Sequence, residues 1–275
     1  FEKIIKNGYY YVDKTMLIKE LMDLKGEVNL FTRPRRFGKT LNLSMLRYFY
    51  EDTGDVKKNE ANQSLFQGLK IMEQGGEYTE HMGKYPVINL TLKSAKQPTF
   101  ESAYGKIKKA IADEFQRHQY ILAADKIGEE DKELFRKIAD RKAEYDDYSG
   151  ALEFLSKRLH QATGKNTVIL IDEYDVPLEN AYFRGFYEEM VDFIRSLFES
   201  ALKTNDFLQF AVITGCLRIA KESIFTGPNH LRMISVLDRR YSEHFGFTEP
   251  ETRQMMTYYG VESRFPILKE WYDGY

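Results

Sequence analysis

Three things are scarce in this chain of 275 residues. It has one cysteine, Cys216, so no internal disulfide framework can form, and a reducing cytosol suits it; the expected location is cytoplasmic. No apolar run approaches the ~20 residues that span a bilayer, which excludes a helical membrane span within this sequence. Charge of one sign is also lacking, since 40 basic and 42 acidic residues leave a net of −2. Bulk electrostatics therefore demands neither nucleic acid nor an anionic membrane, and any basic patch must be local. Internal repeats and low-complexity tracts are missing as well.

The composition, 43% apolar and 30% charged, is that of a soluble globular protein. The length allows one large core, or a core with a small appended lobe. The chain starts at Phe1 rather than methionine, has no charged-then-apolar leader, and stops on the aromatic-rich "LKEWYDGY". Both ends read as cut, and the expectation is a fragment of something longer.

Strand-like and helix-like segments alternate. "EVNLF" (Glu27 to Phe31), "YPVINLTL" (Tyr85 to Leu92), "TVILID" (Thr167 to Asp172), "FLQFAVITG" (Phe207 to Gly215) and "RMISVL" (Arg232 to Leu237) are aliphatic, β-branched runs expected to form strands. Between them the apolar period becomes helical: after Thr40, from Phe100 to Arg117, Glu129 to Lys142, Ser149 to Gln161, and Phe186 to Lys203. Strands joined by helical crossovers imply a mainly parallel sheet of about five strands covered on both faces. "FTEPETRQMMTYYG" reads as a capped helix: Thr248 and Glu251 form a capping-box pattern, Pro250 sits in the first turn, and Gly260 suits the stop. The alternation ends near Ser242, so the expected division is a core over 1–241 and a small helical C-terminal segment over 242–275.

Arg33 to Thr40 ("RPRRFGKT") nearly matches the phosphate-binding pattern G-x-x-x-x-G-K-[ST], with Arg33 in place of the first glycine. Such a loop leads from a strand into a helix N-terminus, where main-chain N–H groups and the helix dipole converge on phosphate. Arg35, Arg36, Phe37, Gly38, Lys39, Thr40 and Leu41 are the candidate nucleotide-binding residues. Gly38 allows close backbone approach, Lys39 would bridge β- and γ-phosphate oxygens, and the Thr40 hydroxyl would join the shell of Mg²⁺. A Gly-Lys-[Ser/Thr] tripeptide alone arises by chance in roughly one in ten chains of this length. The strand before it and the helix after it make chance a poorer explanation. Pro34 fixes its own φ and biases Arg33 toward an extended conformation, so the expected loop is more rigid and more cationic than usual.

"VILIDEYD" (Val168 to Asp175) is an independent second signal. Aliphatic residues ending in Asp172 form the Walker B pattern, whose aspartate holds Mg²⁺ through its water shell. In one large division of phosphate-loop ATPases an adjacent glutamate, here Glu173, orients and polarises the attacking water. The strand and helices between the loop and Asp172 fit an ATPase with an extra strand inserted between the two motif strands. "AVITG" would then lie beside the loop strand, with Thr214 at its tip placed to sense the γ-phosphate, although a threonine serving the turn before Gly215 is an equally good reading. Arg218 could stabilise transition-state charge within this chain or on a neighbour; a surface salt bridge is the plainer alternative. Arg239 and Arg240 are weaker candidates for that role.

With these residues assembled, the chain resembles the AAA-ATPase-like family of bacterial proteins, which often carry a PD-(D/E)XK nuclease-like domain downstream. The matching segments are "YYYVDKT", "RPRRFGKTLNLSML", "VILIDEYD", "AVITGCLRIAKESIFTG", "YSEHFGFTEPE" and "WYDGY", from Tyr9 to Tyr275. That family's loop typically reads R-P-R-R-F-G-K-[ST], so Arg33 follows its pattern. Its "SGLNNL" segment is "TGPNHL" here, Thr226 to Leu231, which leaves a role for Asn229 open. These 275 residues do not include the nuclease-like portion. The resemblance implies an AAA+-like or signalling-ATPase-like core; with Lys39, Thr40 and Asp172 the expectation is a P-loop NTPase of the AAA+, additional-strand type that takes ATP and Mg²⁺. Tyr11 or Asp13 could border the adenine, and N-capping of the following helix by Asp13 is the alternative.

The sequence thus leads to Mg²⁺-dependent ATP hydrolysis that moves the C-terminal segment or an attached effector. A nucleotide-binding switch with negligible hydrolysis, a small-molecule kinase and a DNA-binding accessory module are the rivals. Asp172 and Glu173 count against the kinase, and only Arg33, Arg35, Arg36 and the family association favour DNA. A homo-oligomer and, through the full-length protein, nucleic acid are open as partners.

Overall fold

The computed structural model describes residues 1–217, 224 and 231–272. Every strand of its sheet is a short aliphatic run: β1 (Val28–Thr32), β2 (Val87–Thr91), β3 (Thr167–Asp172), β4 (Leu208–Gly215) and β5 (Leu231–Ile234). All pairings among the described residues are parallel, in the order β2-β3-β4-β1-β5. The α/β expectation holds, and β4 lies between β1 and β3, the inserted-strand arrangement of a P-loop, AAA-like fold. β5 is shorter than expected because its end is turned. The Asp238 carboxylate accepts from the Ser235 N–H and hydroxyl, which leaves Val236 and Leu237 exposed.

Helices fill both faces. In chain order they are α1 (Glu2–Lys6), α2 (Met16–Leu24), α3 (Lys39–Tyr50), α4 (Val56–Ser64), α5 (Gly76–Thr79), α6 (Phe100–Arg117), α7 (Glu129–Ala139), α8 (Tyr145–Ser149), α9 (Ala151–Thr163), α10 (Val176–Arg184), α11 (Tyr187–Leu202), α12 (Glu249–Tyr258) and α13 (Phe265–Tyr272). Strand residues alternate between two cores, as a period of two requires. Val28, Leu30, Ile169, Ile171, Ala211 and Ile213 join residues of α6, α7, α9 and α11. Phe31, Val168, Leu170 and Val212 face α2 and α3. The capping box expected at Thr248 and Glu251 is present and starts α12.

The helix that begins at the loop is anchored at its far end. Arg117 of α6 pairs with Glu51, just past α3, and with Glu114, and donates to the Val87 carbonyl at the start of β2. Glu51 also pairs with Arg47 at 3.1 Å, and Glu114 accepts from the Asn89 N–H at 2.8 Å. Beside them His118, 1% exposed, donates from Nε2 to the Val87 carbonyl at 3.1 Å; burial holds its pKa well below 6.5, so it stays neutral. Removing the central cation leaves two nearly buried carboxylates short of a partner. Arg117→Met is therefore expected to lose about 3–5 kcal/mol of unfolding free energy in urea titrations; an unchanged midpoint and slope would show that the cluster does not brace α3.

Candidate functional site

The carboxyl ends of β1, β3 and β4 meet at one point, with Asp172 at its centre. Asp172 ends β3 and is 6% exposed. Its Oδ2 accepts from the Thr40 hydroxyl at 2.6 Å, and its Oδ1 from the Thr214 hydroxyl at 2.5 Å. Thr40 lies in the first turn of α3 and Thr214 is the penultimate residue of β4, so three separate segments converge on one carboxylate.

The Arg33–Thr40 loop reaches this point through two left-handed residues, Arg36 (φ 69°) and Gly38 (φ 78°). Gly38 is the N-cap of α3, and a Cβ built there would meet nothing within 4 Å, so its glycine answers to backbone angle rather than crowding. Arg33 needs no such freedom. It continues the ladder of β1, its N–H donating to the Gly215 carbonyl at 3.1 Å, as the bias from Pro34 leads one to expect. Its side chain turns inward and is 3% exposed. Nη1 donates to the Thr32 and Ile234 carbonyls at 3.0 and 2.8 Å, and the guanidinium lies 5.0 Å from the centre of the Phe245 ring. Burial pulls its pKa down, partly offset by Asp238. The added positive charge expected of the loop thus comes from Arg35 and Arg36, both exposed, and not from Arg33.

Lys39 is buried along its stem, and its amine donates to the Arg33 and Pro34 carbonyls, each at 2.8 Å, with Cys216 Sγ at 3.3 Å. Leu41 is half-buried on α3 and packs with the α2–α3 core. Phe37 is partly buried, and its carbonyl accepts from the Gly246 N–H at 3.1 Å. One turn further along, the Asn42 amide donates to the His244 carbonyl at 2.8 Å. Glu20 of α2 holds the same segment, bonding His244 Nε2 and the Tyr241 N–H, while Lys14 binds Glu251 and the Glu243 carbonyl. Residues 241–251 are thereby fixed against both the loop and α2.

Glu173 follows Asp172 with φ 54°, a left-handed conformation rare for a residue with a side chain. Burial, followed by the negative charge of Asp172, raises its pKa above the ordinary carboxylate range; Lys93 and Lys39 act in the opposite direction. Lys93, in the turn that follows β2, is a neighbour the sequence reading missed, signalled only by its position two residues past a strand end. Asp175 was missed as well. Its carboxylate accepts from the Cys216 and Leu217 N–H groups, although in the sequence it reads as part of a solvated acidic turn.

Other candidates lie elsewhere. Asp13 accepts from the Thr15 N–H and hydroxyl and from the Lys70 N–H, which makes it a local brace at the start of α2. Tyr11 packs on Phe1, and its hydroxyl accepts from the Lys14 N–H. Arg239 and Arg240 are exposed past β5. Arg218 and Asn229 fall outside the described residues.

Oxygen donors converging at Thr40 and Asp172 suit a small hard cation such as Mg²⁺, and a glycine-capped helix with a lysine at its first position suits phosphate. The inward Arg33 yields a test of the loop's unusual spelling. Arg33→Gly, which restores the first glycine of the general pattern, is expected to cost about 2–4 kcal/mol in urea unfolding, through lost charge-assisted hydrogen bonds and added chain entropy. A variant as stable as the parent would show that the guanidinium is not a structural tie.

A protein of Azotobacter chroococcum mcd 1, described as an uncharacterized protein in the vnfD 5′ region, is 27% identical over 270 residues, which are 98% of this chain and 45% of that protein. The chain thus spans less than half the length of that relative. No solved structure matches. Residues 1–225 match the AAA-ATPase-like family, described as Predicted AAA-ATPase, and the chain belongs to that family.

Proposed function

We propose that this chain binds ATP and hydrolyses it with Mg²⁺, using the change of nucleotide to act on its C-terminal segment and on whatever effector the full-length protein attaches there. The observation that carries this reading is the convergence of Thr40, Thr214 and Asp172, with Glu173 next in the chain in a left-handed conformation. Membership of a family described as Predicted AAA-ATPase supports it.

In this reading the first-turn N–H groups of α3 and the loop from Arg35 to Leu41 surround the phosphates. Lys39 exchanges the Arg33 and Pro34 carbonyls for phosphate oxygens, an exchange that replaces neutral acceptors by charged ones and so strengthens each bond. Thr40 and Asp172 hold the metal, whose contribution is to neutralise charge on the β- and γ-phosphates. Glu173 accepts a proton from water as the water oxygen attacks the γ-phosphorus and the bond to the β-phosphate oxygen breaks, releasing ADP. Thr214 orients the same water, and Arg218 offsets the growing charge, from this chain or from a neighbouring copy. Residues 242–275 would form a small helical lobe on the 1–241 core and carry the nucleotide state onward.

Glu173→Gln keeps shape and removes the base, so phosphate release is expected to fall by about 10²-fold or more while a fluorescent ATP analogue still binds. Lys39→Ala is expected to weaken that binding itself. Normal hydrolysis by Glu173→Gln would overturn the assignment of the base, and ATP binding without turnover in the parent chain would point to a nucleotide-operated switch.

A further inference from the structure

Beyond Gly215 the chain is held by the two residues that follow Glu173. Asp175 Oδ2 accepts from the N–H of Cys216 at 2.8 Å and of Leu217 at 2.7 Å. Tyr174 closes the other side, its hydroxyl donating to the Leu217 carbonyl at 2.8 Å and its N–H to the Thr214 carbonyl at 3.1 Å. A side chain at Gly215 would not fit, because its Cβ would lie 2.5 Å from the Tyr174 ring and 2.8 Å from Asp175 Oδ1. Residues 214–217 are therefore packed directly onto the peptide that carries Asp172 and Glu173.

This arrangement is costly. Asp175 is 2% exposed, and its Oδ1 has no hydrogen-bond partner among the described residues. A buried carboxylate with one bare oxygen loses hydration that only its other bonds can offset. What the side chain supplies is reach: a single oxygen at the end of an Asp-length side chain accepts two consecutive N–H groups. That fixes Cys216 with its Sγ 3.3 Å from Lys39 Nζ.

We propose that Asp175 is a positioning residue for hydrolysis. By tying Gly215–Leu217 to the end of β3, it aligns the Thr214 hydroxyl with Glu173. The proposal rests on the ATPase reading above. Asp175 acts through the backbone it holds, so the bonds it accepts matter more than its charge.

The test compares Asp175→Ala, Asp175→Asn and Glu173→Gln in this 275-residue chain. Asparagine retains an oxygen for the two N–H groups and removes the charge. Asp175→Ala is expected to lower kcat by about ten-fold or more, with the Kd for a fluorescent ATP analogue within about two-fold of the parent, whereas Asp175→Asn recovers most of the rate. Cys216 is the sole cysteine and reports on the loop without any turnover. Its reaction with dithionitrobenzoate is expected to quicken by about ten-fold in Asp175→Ala and to stay near the parent rate in Asp175→Asn and Glu173→Gln. Should Asp175→Ala not fold, Asp175→Ser, whose shorter side chain leaves the hydroxyl short of both amides, is read in the same assays. Unchanged kcat or unchanged thiol reactivity in the alanine or serine variant overturns the proposal, as does an asparagine variant as slow as alanine. A parent chain without turnover overturns the ATPase reading and this role together; turnover lost in Glu173→Gln and intact in Asp175→Ala overturns this role alone.

Discussion

Two threonine hydroxyls share one aspartate, and the architecture around the site follows from that contact. Thr214 is on the strand next to Asp172, but Thr40 belongs to the helix that follows β1, two strands away. For Thr40 to reach the same carboxylate, α3 must lie across β4 against β3. It does so on a face made of Val168, Leu170 and Val212, and its own Leu43, Met45 and Leu46 share that core. Packing on one side of the sheet thus sets a bond length at its edge. At the opposite end of α3, the Glu51 and Arg117 cluster keeps the helix from sliding along its axis.

The loop combines firm and adjustable parts. Arg33 is locked at both ends, by a ladder bond through its N–H and by the buried guanidinium on the Thr32 and Ile234 carbonyls. The turn that follows concentrates its backbone strain at Arg36 and relieves it at Gly38. Among the described residues Lys39 is bonded only to two carbonyls and a thiol, all neutral acceptors, so its amine is the part of the loop least committed to its present partners.

Much of this was legible in the sequence because local chemistry and global fold agree. The β3 run ends on Asp172 as expected, α6 covers Phe100–Arg117, and the capping box at Thr248 is realised. The place of β4 beside β1 followed from the extra strand between the motifs. The sequence was silent where a residue's role depends on a distant partner. Nothing near Arg33 says that its side chain turns toward Ile234, some two hundred residues away, and nothing near Asp175 says that its acceptors serve residues 216 and 217. α2 entered the sequence reading only as the helix after Asp13, since its buried Leu17, Ile18 and Leu21 are flanked by charged residues and find their core with residues of α3. β5 was drawn too long because Val236 and Leu237 look like strand residues until the Ser235–Asp238 turn is seen.

The embrace of residues 241–251 by Glu20 and Lys14 bears on how this protein can be cut. The family match ends at residue 225, yet Phe31 packs edge-on against Tyr241 and lies 5.0 Å from Phe245, and β5 completes the pairing of β1. An expression boundary placed at the end of the match would strip a neighbour from the strand that feeds the loop, bare two aromatic rings to water and release Asn42 and Phe37 from their partners. The smallest piece that keeps the loop's surroundings intact extends at least to Glu251, so domain limits drawn from sequence similarity alone would sever the site they are meant to isolate.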